Sequence, residues 1–145
     1  MLILSDTKIK EIADELDCGM KCYYNPVTEE IKSLPDHNIF PFSDEEMWED
    51  IENEIYSEID KFVIFDIMPT HDYFQMMVDF AEDIDDVKLQ ERLIRALNGK
   101  KPFRHFKDQI NNSGKYRQLW FDFKNLKYCE WVKEQIEEFN IKPDN

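Results

Sequence analysis

Residues 61–65 read Lys-Phe-Val-Ile-Phe, a short β-rich segment that is wholly apolar after its first residue. Such a run predicts a strand with both faces covered. Upstream, Met20 to Tyr24 and Glu30 to Leu34 flank Asn25 and Pro26, a pair that favours a turn. The sequence therefore predicts a β-hairpin that the segment at 61–65 joins as a third strand.

Apolar residues at helical spacing fill most of the remaining chain. Ser5 or Asp6 is a suitable N-cap for a first helix, and Ser43 with Glu46 forms a capping-box pattern before a second. We expect one α+β domain over residues 1–145, mostly helical, with about six helices packed around a small sheet. The core-facing positions expected in the third and last helices are Phe74, Met77, Val78, Ala81, Leu119, Trp120, Phe123, Val132, Ile136 and Phe139.

Charge is distributed very unevenly along the chain. The 32 acidic and 18 basic residues give a net charge of −14, which argues against simple coating of nucleic acid or of anionic membranes. Residues 36–60 carry 10 acidic and no basic residues, whereas residues 88–127 carry 11 basic and 3 acidic ones. Two interpretations stay open: the two segments screen one another, or each meets a different partner.

The cysteines and the N-terminus indicate a compartment. Cys18, Cys22 and Cys129 cannot all pair within one chain, and no histidine lies at zinc-site spacing, so we expect reduced thiols, no metal and no cofactor. The apolar run at residues 1–4 is too short for a signal peptide, and no stretch approaches the length of a membrane span. A cytoplasmic protein without a membrane partner is expected.

Asp66, His71 and Asp72 group a histidine with carboxylates after the predicted strand, which is a place where catalytic groups often lie. A hydrolase using these residues is therefore one hypothesis. The plain alternative is that Asp72 stabilises the first turn of a helix and that Asp66 ends the strand. Because no nucleotide-binding or hydrolase motif is present, we favour a non-enzymatic role.

The basic segment interleaves cations with aromatic residues, a pattern that could bind nucleic acid or another phosphoanion. Trp120 and Phe123 have core-like spacing, whereas Phe121 is not explained by a single buried stripe. Pairing with the acidic helix is the structural alternative. The binding candidates are Arg104, Lys107, Arg117, Phe121 and Lys124.

Residues 96–108 read Ala-Leu-Asn-Gly-Lys-Lys-Pro-Phe-Arg-His-Phe-Lys-Asp and are followed by Trp-Phe-Asp-Phe at 120–123. These segments, with the hairpin and residues 73–80, resemble the uncharacterised bacterial protein family UPF0158. The chain departs from the family pattern at His105, where arginine is common, and at Phe121, which is often tyrosine. The resemblance implies a fold and a bacterial cytosolic setting, but no mechanism.

Our leading sequence-based hypothesis is a non-enzymatic bacterial regulator or adaptor that binds a basic protein through an acidic face. Its residues are Asp44, Glu45, Glu49 and Glu52. One form of this hypothesis is a toxin-neutralising immunity protein or a SUKH-like glucan-synthesis regulator. Nucleic-acid or phosphoanion binding is the alternative from a different class, and the oligomeric state is left open.

Overall fold

A computed structural model describes residues 1–36 and 45–141, with the side chains of Glu45 and Glu46 outside the description. The predicted capping box of Ser43 and Glu46 and the acidic-face residue Asp44 therefore lie outside the described residues, as does the Glu45 side chain.

The described residues form six α-helices and a three-stranded antiparallel sheet, which confirms the predicted α+β class. In chain order the elements are α1 (Asp6–Asp17), β1 (Met20–Tyr24), β2 (Ile31–Pro35), α2 (Glu45–Ser57), a 3₁₀ turn (Ile59–Lys61), β3 (Val63–Phe65), α3 (Thr70–Asp83), α4 (Val87–Leu97), α5 (Pro102–Asn111) and α6 (Lys115–Ile141).

Internal contacts divide the chain into two compact units. The first, here called the sheet unit, comprises Met1–Met68 and Tyr128–Asn145, and the second, the helical unit, comprises Pro69–Lys127. The α6 helix gives its first half to the helical unit and its second half to the sheet unit. A single domain over residues 1–145 stays a prediction.

The sheet has the strand order β2-β1-β3, so the segment at 61–65 does provide the third strand. Cys22 pairs with Ser33 on one side and Phe65 on the other. The expectation that both faces of the third strand are covered was wrong, because Ile64 is 41% exposed. Ile64 lies on the same face of the sheet as its pairing partner Tyr23. On that face α2 packs against β2, which is the edge strand opposite β3.

Helices cover the two faces of the hairpin. Tyr23, Leu34 and Ile55 form a buried cluster under α2. On the other face the Cys22 thiol lies 4.0 Å from the backbone carbonyl oxygen of Ile12 in α1. As predicted, Ser5 caps α1, its hydroxyl accepting a 3.2 Å hydrogen bond from the backbone of Lys8.

The core of the helical unit is aromatic. Trp120 is 2% exposed and makes edge contacts with the rings of Tyr73, Phe80 and Phe106. This packing buries Met76, Met77, Phe80 and Ala81 of α3, while the predicted inward residues Phe74 and Val78 are only half-buried.

The long α6 helix departs from the predicted core pattern at two positions, since Leu119 is 47% and Phe139 is 49% exposed. The buried residues instead follow a spacing of four: Tyr116 and Trp120 in the helical unit, then Tyr128, Val132 and Ile136 in the sheet unit. Residues four apart lie one above the other on a helix, so positions 119 and 139 fall beside this row.

Candidate nucleic-acid interface

The α5 helix begins where the sequence predicts, with Pro102 in its first turn. Phe103 contacts Tyr73 with ring centres 5.7 Å apart, and the fully buried Phe106 contacts Trp120 at 4.9 Å. Because these two phenylalanines face the core, Arg104 and Lys107 are left on the exposed side of α5.

A second basic stripe runs along the first half of α6, where Arg117, Phe121 and Lys124 share one helical face through their spacing. The Arg117 guanidinium lies 5.3 Å from the centre of the Phe121 ring. The Lys124 ammonium lies 5.2 Å from the same ring centre. The half-buried Phe121 is therefore explained by cation–π contacts with both neighbours.

The α3 helix links the two stripes. The Lys107 ammonium lies 5.9 Å from the Tyr73 ring centre, which is 6.5 Å from the Trp120 ring. Lys124 in turn lies 6.0 Å from the Trp120 ring. We call this alternating series the cation–aromatic row: Lys107, Tyr73, Trp120, Lys124, Phe121 and Arg117.

The structure thus brings together four of the five predicted binding residues. Arg104 is exposed on α5, one turn before Lys107, and makes no ring contact with a described residue. Sequence reasoning missed Tyr73 as a member, since it enters from α3, a helix with no lysine or arginine. Its only signal was a large amphipathic ring early in that helix.

Two cations of the row, Lys107 and Arg117, contact aromatic rings rather than carboxylates of the described residues. Neither Lys107 nor Arg117 forms an ion pair with a residue in the described part of the chain. The nearby Asp122 accepts a 2.9 Å hydrogen bond from the Gln118 amide. A ring attracts a cation without cancelling its charge, so the row stays positive while its side chains are positioned.

Carboxylates neutralise lysines in the sheet unit instead. Glu54 of α2 binds the Lys32 ammonium, a contact that raises the pKa of Lys32. Of the predicted acidic face, Glu49 is exposed and Glu52 is half-buried. This ion pair therefore joins the acidic helix to β2 within its own unit.

The predicted hydrolase residues are divided between the two units, with Asp66 in the sheet unit and His71 and Asp72 in the helical unit. The Asp66 carboxylate lies 3.4 Å from the Lys21 ammonium, and its backbone carbonyl accepts a 2.8 Å hydrogen bond from Trp131. His71 and Asp72 are exposed in the first turn of α3, and neither side chain hydrogen-bonds to a described residue. Both observations fit structural roles.

Burial disfavours the thiolate form at two of the three cysteines, Cys22 and Cys129. All three are free, and burial raises the pKa of Cys22 to about 12, so this thiol stays protonated at neutral pH. Burial also raises the pKa of Cys129. Within residues 1–36 and 45–141, no group of three or more potential metal ligands occurs, and no helix is long and apolar enough to cross a membrane.

The described residues define this chain as a helix-rich α+β protein. The chain belongs to the uncharacterised protein family UPF0158, whose sequence model matches residues 39–144, and the predicted resemblance is confirmed. It is 25% identical over 87 residues to the UPF0158 protein PA5073 of the bacterium Pseudomonas aeruginosa. The match covers 60% of this chain and 57% of that protein. No solved structure matches the chain.

Proposed function

We propose that the helical unit binds a nucleic-acid strand through its phosphate backbone, along the cation–aromatic row. The observation that carries this proposal is the arrangement of Lys107, Arg117 and Lys124 against aromatic rings. Lysine and arginine contacts to phosphates supply most of the affinity in sequence-independent binding. Side chains already held in place lose less conformational entropy when the strand binds.

The net charge of −14 does not oppose this proposal, because it belongs to the sheet unit. That unit contains 23 acidic and 7 basic residues, whereas the helical unit contains 9 acidic and 11 basic ones. The row therefore lies in the unit whose net charge is positive. We therefore expect binding confined to the row, strong at low salt and weak at high salt.

The test is fluorescence anisotropy with a labelled single-stranded oligonucleotide of about 12 nucleotides, titrated across a range of salt concentrations. Three phosphate contacts should give a slope of log K against log salt of about −2, since each contributes about 0.7 on a single strand. Arg117→Met should reduce that slope by about 0.7. Lys88→Met, which removes an exposed cation of α4 outside the row, is the matched control and should leave the slope unchanged.

Absence of binding at about 20 mM salt would end the proposal. It would also be ended if Arg117→Met and Lys88→Met gave the same slope. Circular dichroism of both variants establishes that the fold is retained. A duplex of the same sequence serves as a second ligand. If the protein binds the duplex more tightly, the proposed ligand becomes the duplex instead of the single strand.

A protein partner at the acidic face remains a second candidate, and a specific observation favours it. Tyr56 is 54% exposed on α2 and lies one turn after Glu52, so an aromatic ring lies beside the carboxylates of this face. An apolar contact with surrounding charge is typical of a protein interface. The expected partner is basic.

Titration with an arginine-rich peptide, followed by amide NMR shifts, tests the second candidate. The largest shifts should fall on α2, and Glu49→Gln with Glu52→Gln should weaken binding several-fold. The matched control is Glu137→Gln with Glu138→Gln, two exposed carboxylates of α6. Shifts spread evenly over the acidic surface would show non-specific attraction and contradict a defined face.

A further inference from the structure

A groove of about 380 Å³ lies between α4 and α5 in the helical unit. Its polar lining comprises Arg92, Arg95, Lys100, His105 and Gln109. Two come from α4, two from α5 and one from the connection between them. Its volume is in the range typical of small-molecule sites, about 300 to 1,000 Å³.

The groove and the cation–aromatic row lie on different flanks of α5. Phe106 and Ile110 mark the buried face of this helix. At about 100° per residue, His105 and Gln109 fall on one side of that face and Lys107 on the other. A ligand in the groove therefore contacts a different set of side chains from a strand on the row.

The groove is positively charged without local compensation. Three of its lining residues are cations, and none is a carboxylate. Arg92, Arg95 and Lys100 form no ion pair with any residue of the described ranges. Because three cations line one groove, an anion that enters gains their combined attraction.

The hydrogen-bonding groups inside the groove favour a ligand whose polar atoms accept hydrogen bonds rather than donate them. The Arg92 Nε donates a 3.1 Å hydrogen bond to the Gln109 side-chain oxygen, which orients the guanidinium and uses the acceptor of that amide. Most of the groups left free are donors: the Arg92 Nη atoms, the Gln109 amide nitrogen, the Arg95 guanidinium and the Lys100 ammonium. The His105 ring adds one N–H donor and, when neutral, one acceptor nitrogen. Acceptor-only groups of high charge, above all a phosphoryl dianion, match this lining.

We propose that this groove binds a small phosphate monoester, with its phosphoryl group between Arg92, Arg95 and Lys100. Each of the two arginines can bind a phosphoryl group through two N–H groups of its planar guanidinium, a geometry that suits phosphoryl oxygens. The volume exceeds that of a phosphoryl group alone, leaving room for an attached organic part beside Ala96 and Gly99. The site is separate from the proposed nucleic-acid row and stands without it.

The probe is ribose 5-phosphate, with ribose as the uncharged control, in a chloride buffer free of phosphate and sulfate. Titration by NMR should shift amides of α4, α5 and residues 98–101, with a dissociation constant of roughly 1 mM or tighter. Ribose should cause no such shifts. Arg95→Met, which keeps the side-chain stem but removes the guanidinium, should weaken binding at least about tenfold.

Gly99→Leu blocks the groove without changing its charge. A Cβ at Gly99 meets only backbone oxygens at 3.4 and 3.7 Å, an ordinary contact distance, so the fold should accept a side chain there. This variant should lose ribose 5-phosphate binding, whereas Arg117→Met should keep it while showing the reduced oligonucleotide slope. Lys100→Met serves in place of Arg95→Met if that variant unfolds, because Lys100 is exposed between the two helices.

The proposal is overturned if ribose 5-phosphate shifts no amide of the groove at about 20 mM. It is equally overturned if Gly99→Leu, folded by its amide spectrum, binds as tightly as the parent protein. If neither the parent protein nor any variant binds the oligonucleotide but ribose 5-phosphate still binds, the nucleic-acid proposal is contradicted. The groove proposal is then still supported.

Discussion

Tyr116 donates a hydrogen bond to the Asp85 carboxylate in the helical unit. This bond lowers the pKa of Asp85 and is the main reason that the pKa of Tyr116 is raised to about 12. The folded-state pKa of Asp85 lies below its unfolded value, so the stabilisation is present above the unfolded value and is lost as pH falls through the lowered pKa. For Tyr116 the stabilisation is present below the unfolded value of about 10 and is lost as pH rises towards 12.

Tyr116→Phe should return the pKa of Asp85 towards its ordinary value of 3.8, because the phenyl ring cannot donate to the carboxylate. NMR titration of the side-chain carboxyl carbons measures this directly. Chemical denaturation should also show a smaller gain in stability between about pH 3 and pH 6 than the parent protein shows. The matched control is Tyr56→Phe in α2, which should leave the pKa of Asp85 unchanged. An unaltered low pKa in Tyr116→Phe would show that the hydroxyl is not its cause.

At the scale of elements, the helix ends were predictable from the sequence where they depend on residues within one turn of the chain. Ser5 caps α1, and Asp86 caps α4 by accepting a 3.0 Å hydrogen bond from the Leu89 backbone N–H. Gly19 follows α1 with φ of 83°. Each depends on residues fewer than five positions away, so no tertiary information is needed. Pro102 at the start of α5 is a further case.

At this scale the sequence does not reveal which residues are exposed, because exposure depends on which neighbour packs against an element. Leu119 is apolar and helical, yet it is exposed because the buried row of α6 passes one position away. Glu29 and Lys101 adopt positive φ, at 63° and 49°, although neither residue type signals it. Glu29 lies in the hairpin turn, where its backbone N–H donates a hydrogen bond to the Asn25 carbonyl, and Lys101 is the N-cap residue of α5.

The same limit applies to the two candidate sites. The basic stripes of α5 and α6 were visible as Lys107, Arg117 and Lys124, since helical spacing alone places cations on a face. The contribution of Tyr73 required the packing of α3, and the groove required Arg92 of α4 to meet Gln109 of α5. Because each site is assembled from separate helices, no single segment of the sequence predicts it.

At the scale of the whole molecule, the division of charge follows the division into units. The sheet unit contains 23 acidic residues against 7 basic ones, so its net charge exceeds that of the entire chain in magnitude. Its ion pairs, such as Lys10 with Asp14 and Lys21 with Asp66, join partly exposed side chains. Such pairs contribute about 0 to 1 kcal/mol each, whereas a net charge far from zero destabilises the compact state through self-repulsion.

Salt should therefore stabilise this protein, although it weakens exposed ion pairs. Raising NaCl from about 10 mM to about 150 mM shortens the Debye length from about 30 Å to about 8 Å and screens the repulsion. We expect the melting temperature to rise, by about 3 °C for each kcal/mol gained. Chloride salts are used because sulfate strengthens apolar burial by a separate effect.

Substitution separates carboxylate repulsion from a general effect of salt. Glu49→Gln with Glu52→Gln removes two charges from the acidic sheet unit, so it should raise the melting temperature at about 10 mM NaCl and reduce the further gain at higher salt. Glu91→Gln removes one charge from the basic segment of the helical unit and should produce neither change. A melting temperature that falls with added NaCl would mean that ion pairs outweigh repulsion. Equal responses of the Glu49/Glu52 and Glu91 variants would mean that the excess charge acts on the chain as a whole rather than on the sheet unit.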